Sequence, residues 1–390
     1  MGDGEAKRAR AGVSVVFAVC GASFATWASR VPAVQQQAGA STGELAIALF
    51  GLAAGSVLAL AAAGPLITKI GSRRAAVLGV LVLGTGLGVV VLAHDVAALT
   101  AALIWLGVGN SVLDVSMNAH AARVEDRYGR PIFAGFHAFW NIGGLVGSGV
   151  SALAAAARVP VAVHFPAAGL VALTVGLCAV LTRFFTTPDT GQGGPALVRP
   201  GRVLLPLGVI AFCGFVAEGA VNDWSAVYLT DIGGASGSAA SLGYFAFSST
   251  MIFIRLIADR TSDRVGAARL MRVAAAVTAG GFVLLAAVPQ PAVGVAGFAV
   301  LGLGVAAIVP LAWSAAGRAR PEAPAMAISA VATCGYLGFL VGPVLIGGLA
   351  GVIGLRLAML TVAALACAVY SLAPSVRAGA PGTRARTSRR

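Results

Sequence analysis

The chain has 390 residues, 58% of them hydrophobic and only 11% charged, and a mean hydropathy of +0.91. Ordinary soluble domains are about 45–50% apolar and about 25% charged, so that class is excluded. The formal net charge of +13 is high enough for a nucleic-acid binder, but its placement along the chain argues against nucleic acid and for a membrane, as shown below.

Crossing the hydrocarbon core takes roughly 20 apolar residues. Twelve segments qualify: 11–31, 44–67, 75–93, 97–121, 132–157, 162–184, 203–229, 238–258, 268–288, 291–315, 324–350 and 354–374. The first follows Lys7, Arg8 and Arg10 and resembles a secretory signal. Its apolar run exceeds the roughly 7–15 residues of such a signal, and more spans follow, so it is read as a retained span. Trp27 and Arg30 stand near its outer end. An interfacial tryptophan with a snorkelling arginine accounts for them; the alternative puts both in a substrate cavity, with Arg30 receiving an anion. Ser41-x-x-Glu44 opens the second span as a capping box. Gly39 to Gly43 matches G-x-S-x-G but lies in a short loop, not a strand-to-helix elbow, so no nucleophile is expected there.

The fourth span carries Asn110, Asp114 and Asn118 at i, i+4 and i+8, one stripe along a helix. A charge at the bilayer centre costs roughly 2.5–3.5 kcal/mol on insertion scales, which makes such residues functional candidates. The stripe is either the polar wall of a cavity or a ladder holding helices together, and a carboxylate suits the ladder poorly. His137 and Asn141 follow in the fifth span. Residues 186–202, with three prolines and four glycines, form the longest polar connector and are expected to be a cytoplasmic linker between bundles 1–185 and 203–376. The seventh span supplies Glu218 and Asn222 at i, i+4, then Asp223 closer to the outer surface, where water alone could satisfy it. Burial disfavours the charged form of a carboxylate, so Asp114 and Glu218 are the candidates to carry a coupling proton across the membrane.

With both termini cytoplasmic, only Arg30, Arg158 and Arg356 of the 27 Lys and Arg fall on the outer side. The remainder occupy inner loops, the N-terminal segment and a basic tail at 377–390, the positive-inside pattern. Cys20, Cys178, Cys213, Cys334 and Cys367 stand singly and read as small core hydrophobes. His94 and His164 are expected in outer loops and His120 near the inner end of the fourth span; with His137 they form no ligand cluster. No metal and no cofactor are expected, and no P-loop is present to couple ATP.

The chain also repeats at an offset of half its 390 residues. Thr68 to Gly71 lies over Asp263 to Gly266, Leu106 to Gly109 over Leu301 to Gly304, Leu145 to Gly147 over Leu340 to Gly342, and Arg123 over Arg318. Duplicated apolar halves mark secondary transporters, in which one bundle rocks against the other. The polar residues do not repeat: Asp114 lies over Val309, Asn118 over Trp313, Asn141 over Tyr336, Glu218 over Ser23 and Asp223 over Ala28. Pairs such as Gly51-x3-Gly55, Gly143-x3-Gly147, Gly338-x3-Gly342 and Gly347-x3-Gly351 are expected to let helix backbones approach closely.

Gly64-Pro65-Leu66-Ile67-Thr68-Lys69-Ile70-Gly71-Ser72-Arg73-Arg74, with its second-half version Arg255 to Asp259 and Asp263-Arg264-Val265-Gly266, resembles the loop signature of the major facilitator superfamily. The resemblance covers essentially the whole chain. It implies twelve helices in two pseudo-symmetric six-helix bundles, an all-α membrane fold. It also implies a cytoplasmic gate at Gly64, Thr68, Gly71, Arg73, Arg74, Arg255, Asp259, Asp263, Arg264 and Gly266. Thr68 stands where the family has an acid, so a weaker first-half contact is expected. Gly109 to Asn118 and Phe136 to Asn141 are similar to segments of the fucose-permease branch of proton symporters. That branch's first-span acid has no counterpart, because Gly21 to Pro32 holds no carboxylate. Its proton mechanism and its sugar therefore do not carry over intact.

The sequence thus predicts a monomeric, multi-pass plasma-membrane transporter in lipid bilayer, with no enzymatic activity. Its expected partners are a small-molecule substrate and protons, with Asn110, Asn118, His137, Asn141, Asn222, Asp223, Trp27 and Arg30 as cavity candidates. Proton symport of a sugar-like or other small polar substrate is the first reading. Antiport exporting a drug or metabolite, and a non-transporting sensor, are the alternatives.

Overall fold

The computed structural model describes residues 3–128, 132–187, 201–320 and 324–377. It is built of helices: α1 (Asp3–Ala28), α2 (Val31–Gln37), α3 (Thr42–Ile70), α4 (Ser72–Val90), α5 (Val96–Tyr128), α6 (Phe133–Ala156), α7 (Val161–Arg183), α8 (Leu205–Asp231), α9 (Gly237–Val265), α10 (Ala267–Ala287), α11 (Pro291–Ala319), α12 (Pro324–Ile353) and α13 (Leu355–Leu372), closed by a 3-10 turn Ala373–Arg377. Twelve are long and apolar enough to cross a membrane. They match the twelve expected segments, so the first span is α1 and spans two to twelve are α3 to α13. The short α2 was not expected. It buries Val31 and Val34, packs against α8, and is held by Gln37 Nε2 donating to Val91 O (2.8 Å) and Ala93 O (3.0 Å).

We call the side bearing both chain ends the terminal face and the side bearing the 29–41 connection the far face. Helices α1 to α7 pack mainly with one another, as do α8 to α13. The two groups meet where α6 packs on α9, α3 on α12, and α1 and α2 on α8. Most of the expected linker, and the basic tail after Arg377, lie outside the described residues.

The duplicated glycines occupy equivalent contact points in the two halves. Gly107 on α5 lies against Leu52 O of α3, and its repeat mate Gly302 on α11 lies against Phe247 O of α9. Gly109 meets the α4 backbone at Leu83, and Gly304 meets the α10 backbone at Thr278. Gly143 and Gly147 meet Ala18 O and Ala22 O of α1, and Gly338 meets Phe212 O of α8. At each of these points a Cβ would strike backbone, so only glycine lets the helices approach. Gly351 is different: nothing lies within 4 Å of its Cβ position. Gly347 instead meets Ala46 of α3 across the halves and the Trp224 ring of α8 in its own half. Gly71 and Gly266, also repeat mates, take φ of 82° and 86° at the turns that join α3 to α4 and α9 to α10. That left-handed region is strained for residues with a Cβ.

A side-chain cap opens α3. Ser41 Oγ accepts from Glu44 N (3.3 Å) while Ser41 N donates to Glu44 Oε2 (2.8 Å), which is the expected capping box. On the terminal face, buried His120 accepts at Nε2 from Phe185 N (3.0 Å), which leaves its ring proton on Nδ1, facing Ser72 Oγ at 2.8 Å. Its ring stacks on Phe184 at 4.0 Å, and Arg123 and Arg127 lie over Phe185. This knot fastens the end of α7 beneath α4 and α5. His164 sits on the first turn of α7 and is buried, where a loop was expected, because Pro160 caps the helix directly ahead of it. Cys178 and Cys367 are exposed on the outside of the bundle, so they are not core residues; Cys20 and Cys213 are buried.

Gly143→Ala is expected to lower stability by about 1–3 kcal/mol, the usual effect of an added carbon in a filled core. Gly351→Ala should stay within about 0.5 kcal/mol of the parent. Thermal unfolding of both variants in detergent checks the contrast.

Candidate functional site

Asn110, Asp114 and Asn118 are half-buried on α5, while Ser111, Ser116 and His120 on the same helix are buried in the first half. The stripe borders this buried face and is less enclosed than it. Asn118 Nδ2 donates to Asp114 Oδ1 (3.1 Å) and to the Asp114 carbonyl (2.8 Å). Cys20 Sγ on α1 approaches Asn110 Oδ1 at 3.6 Å. The group that comes within electrostatic reach of Asp114 from the other half is the Tyr336 hydroxyl on α12. Tyr336 belongs to an aromatic patch with Phe215, Phe339 and Trp313.

The second carboxylate lies in a different environment. Glu218 on α8 is 8% exposed, and the arginine beside it is Arg255. Arg255 is not in the α9–α10 loop, where the motif resemblance had put it; it projects from α9 almost three turns before the helix ends at Val265. Its Nη2 lies 4.0 Å from Glu218 Oε1, and its Nη1 donates to Asn141 Oδ1 on α6 at 3.1 Å. Asn141 is oriented by its own Nδ2, which donates to His137 O (3.0 Å). The His137 ring meets Phe17 edge-on at 5.2 Å and lies within electrostatic reach of Arg255. Tyr244, buried on α9 against Ala25 and Ala28 of α1, faces Glu218 electrostatically. A charge in an apolar interior needs a partner, because desolvation costs several kcal/mol per ion. Arg255 is that partner for Glu218, and Asn118 serves Asp114 with an amide alone.

Asn222 and Asp223 are 4% and 6% exposed, so the solvated position expected for Asp223 is not found. The α2 segment and the packing of α1 and α12 on α8 cover that end of the helix. Trp27 is fully buried, which removes the interfacial reading. Arg30 is 7% exposed and reaches sideways: Nη2 donates to Val159 O (2.9 Å), with His164 close by. The structure does not bring it to either carboxylate. Among the gate residues, Thr68 Oγ1 donates to Gly64 O within its own helix (3.0 Å). Arg73 holds the end of α7 through Val180 O (3.3 Å) and Leu181 O (2.7 Å). Arg74 and Arg264 are exposed, and the Asp259 and Asp263 side chains lie outside the described residues.

Two members of the site, Tyr336 and Tyr244, were missed by reading polar residues alone. The repeat contained the signal for one of them. Tyr336 is the repeat mate of Asn141; Tyr336 lies within electrostatic reach of Asp114 in the other half, and Asn141 bonds Arg255, the partner of Glu218 in the other half.

The family model described as Major Facilitator Superfamily matches residues 13–323 and 207–388. An uncharacterized transporter of Sinorhizobium fredii, y4wD, is 33% identical over 370 residues, covering 94% of this chain and 97% of its own. Membrane protein MosC of Rhizobium meliloti is 30% identical over 365 residues, 90% of this chain and 86% of its own. Among solved structures, the nucleoside transporter NupG, as its D323A mutant, superposes with a TM-score of 0.77 at 12% identity, covering 94% of this chain and 99% of its own. A bacterial homologue of the human lysosomal transporter Spinster, inward-facing and occupied, gives 0.70 at 12% identity, over 94% and 96%. These two structural likenesses speak for the fold. Twelve apolar helices in two similarly packed halves, the family match along the chain and relatives above the 30% level agree, and the chain belongs to the major facilitator superfamily of membrane transporters.

Proposed function

We propose that this transporter moves a small polar molecule across the plasma membrane by alternating access, coupled to protons as a symporter. The observation that carries the reading is the placement of two carboxylates at the seam between the halves: Tyr336 of the second half lies within electrostatic reach of Asp114, and Arg255, beside Glu218 in the second half, bonds Asn141 of the first. In a rocking-bundle mechanism the seam is where substrate binds and where an ion can sense both sides. Glu218 is the proton site, because its partner Arg255 also bonds Asn141 of the first half. Asp114, with Asn110 and Asn118, offers acceptors and amide donors suited to a hydroxyl-rich substrate, against the aromatic patch around Tyr336. The similarity of the fourth-span segment to the fucose-permease branch favours uptake, and the structural likeness to a nucleoside transporter keeps nucleosides among the substrates to test.

The far face is closed in this conformation. Ser241 Oγ donates to Ser29 O (3.0 Å), and Gly347 sits against Ala46 and Trp224. Among the described residues α5 and α11 do not pack along one another, which supports a passage that opens toward the terminal face. The basic loops lie on that face, so the positive-inside rule makes it cytoplasmic, with both termini inside.

Counterflow of radiolabelled sugars, polyols and nucleosides in proteoliposomes under an imposed proton gradient tests the function. The parent should concentrate its substrate with inward proton flow, and Glu218→Gln should exchange substrate without concentrating it. Asp114→Asn should weaken exchange itself by at least about tenfold, the loss of about one charged hydrogen bond. If both variants concentrate substrate like the parent, neither carboxylate carries the coupling. Orientation is checked by an impermeant maleimide on intact cells. His94→Cys on the far face should label and Arg74→Cys on the terminal face should not; the reverse pattern would invert the topology.

A further inference from the structure

Glu218 has a guanidinium beside it, Arg255 at 4.0 Å. Asp114 has no such partner. Among the described residues no Lys, Arg or His pairs with it, and its bonded neighbour is the Asn118 amide at 3.1 Å from Oδ1. The other side chains within electrostatic reach, Cys20 of α1 and Tyr336 of α12, are a thiol and a phenol. Asp114 Oδ2 accepts from none of the described residues, nor is it sealed among them. A carboxylate in an apolar interior is costly without a counter-ion, so a cation arriving at this point is favoured.

The wall that Tyr336 belongs to is aromatic. Phe215 of α8 lies 5.8 Å from the Tyr336 ring, 6.3 Å from Trp313 of α11 and 4.6 Å from Phe339. The repeat places Trp313. It is the mate of Asn118, and α5 and α11 make equivalent glycine crossings through Gly107 and Gly302, Gly109 and Gly304. Trp313 therefore takes in the second half the register that Asn118 takes in the first. Its Nε1 is buried with no hydrogen-bond partner. The face of an aromatic ring attracts a cation within about 6 Å of its centroid, and more strongly where water is excluded. A neutral polyol would stack on such rings but leave the Asp114 charge unanswered.

We propose that this part of the seam recognises an organic ammonium group, so that the transported molecule is a small polar amine or quaternary ammonium rather than a neutral compound. This rests on the reading above that a small polar molecule crosses through the seam. Asp114 supplies the opposite charge, and Tyr336, Phe215 and Trp313 exclude water and add the attraction of their rings. The Asn110 and Asn118 amides and the Trp313 indole remain for hydroxyl or carbonyl oxygens elsewhere on the substrate. Glu218 has its cation already and is not part of this recognition.

Thermal unfolding of the full chain in detergent reads the binding, and each variant's Tm without probe shows that it is folded. Choline is compared with the alcohol that carries a tert-butyl group in place of its trimethylammonium, and glucosamine with glucose. At least one of the two ammonium probes should bind the parent at least about tenfold more tightly than its neutral counterpart, the worth of one charged hydrogen bond. Asp114→Asn should abolish that preference. Trp313→Leu and Tyr336→Leu should each weaken ammonium binding about fivefold, the usual worth of a cation–π contact. Asp231→Asn, which removes an exposed carboxylate at the end of α8, should leave it unchanged. The assignment is overturned if neither ammonium probe is preferred, if the preference survives Asp114→Asn or is lost in Asp231→Asn, or if both aromatic variants bind like the parent. Counterflow of a neutral sugar with no ammonium preference overturns this inference and leaves the transport reading standing. Ammonium binding without counterflow of any labelled compound does the reverse.

Discussion

An ionisable side chain in the middle of an apolar bundle has to find a partner or a proton, and the rest of this structure is arranged around that requirement. Glu218 finds Arg255, and Arg255 in turn finds Asn141 across the seam. Asp114 takes an amide hydrogen from Asn118 and faces Tyr336 from the opposite half. The direct partner of each carboxylate lies in its own half, and each is tied to the other half at one remove, Glu218 through the bond of Arg255 to Asn141 and Asp114 through the nearby Tyr336. Any motion of one half against the other therefore changes the electrostatic environment of both, which is what a coupled carrier needs.

The scaffold makes that arrangement possible by keeping its own contacts free of chemistry. At Gly107 and Gly302, and again at Gly109 and Gly304, helices cross with backbone against backbone. Such contacts hold each half together with backbone and small hydroxyl groups, Ser56, Thr250 and Thr278, and without a charged side chain. The far-face closure uses the same device once between the halves, at Gly347 against Ala46. Side chains that small can part and meet again without repacking. Arg73 and Arg356 add cations at helix ends, bonded to the last carbonyls of α7 and α10.

The spans and the close glycine contacts were legible because both are statements about one segment or about a repeat. Apolar length gave the twelve helices, and the constant offset gave the equivalent contact points. The half-buried stripe on α5 followed from helical spacing alone. What spacing could not give was partnership across the seam. Arg255 reads in sequence as part of a loop signature, because it stands just ahead of one; only the length of α9 shows that it lies deep in the helix. Trp27 and Asp223 read as interfacial from their distance along a span, and the short α2 with the neighbouring helices encloses that region instead. Tyr336 carries no charge to draw attention, yet its register with Asn141 places it at the matching point of the other half.

The central claim is that Asp114 and Glu218 lie at a seam which opens alternately to the two sides of the membrane. The direct measurement is mass-spectrometric labelling of both residues by a membrane-impermeant carbodiimide, applied separately to right-side-out and inside-out vesicles. Alternating access predicts that each carboxylate is labelled from both sides. Labelling from one side only, under acid and alkaline conditions alike, would contradict it.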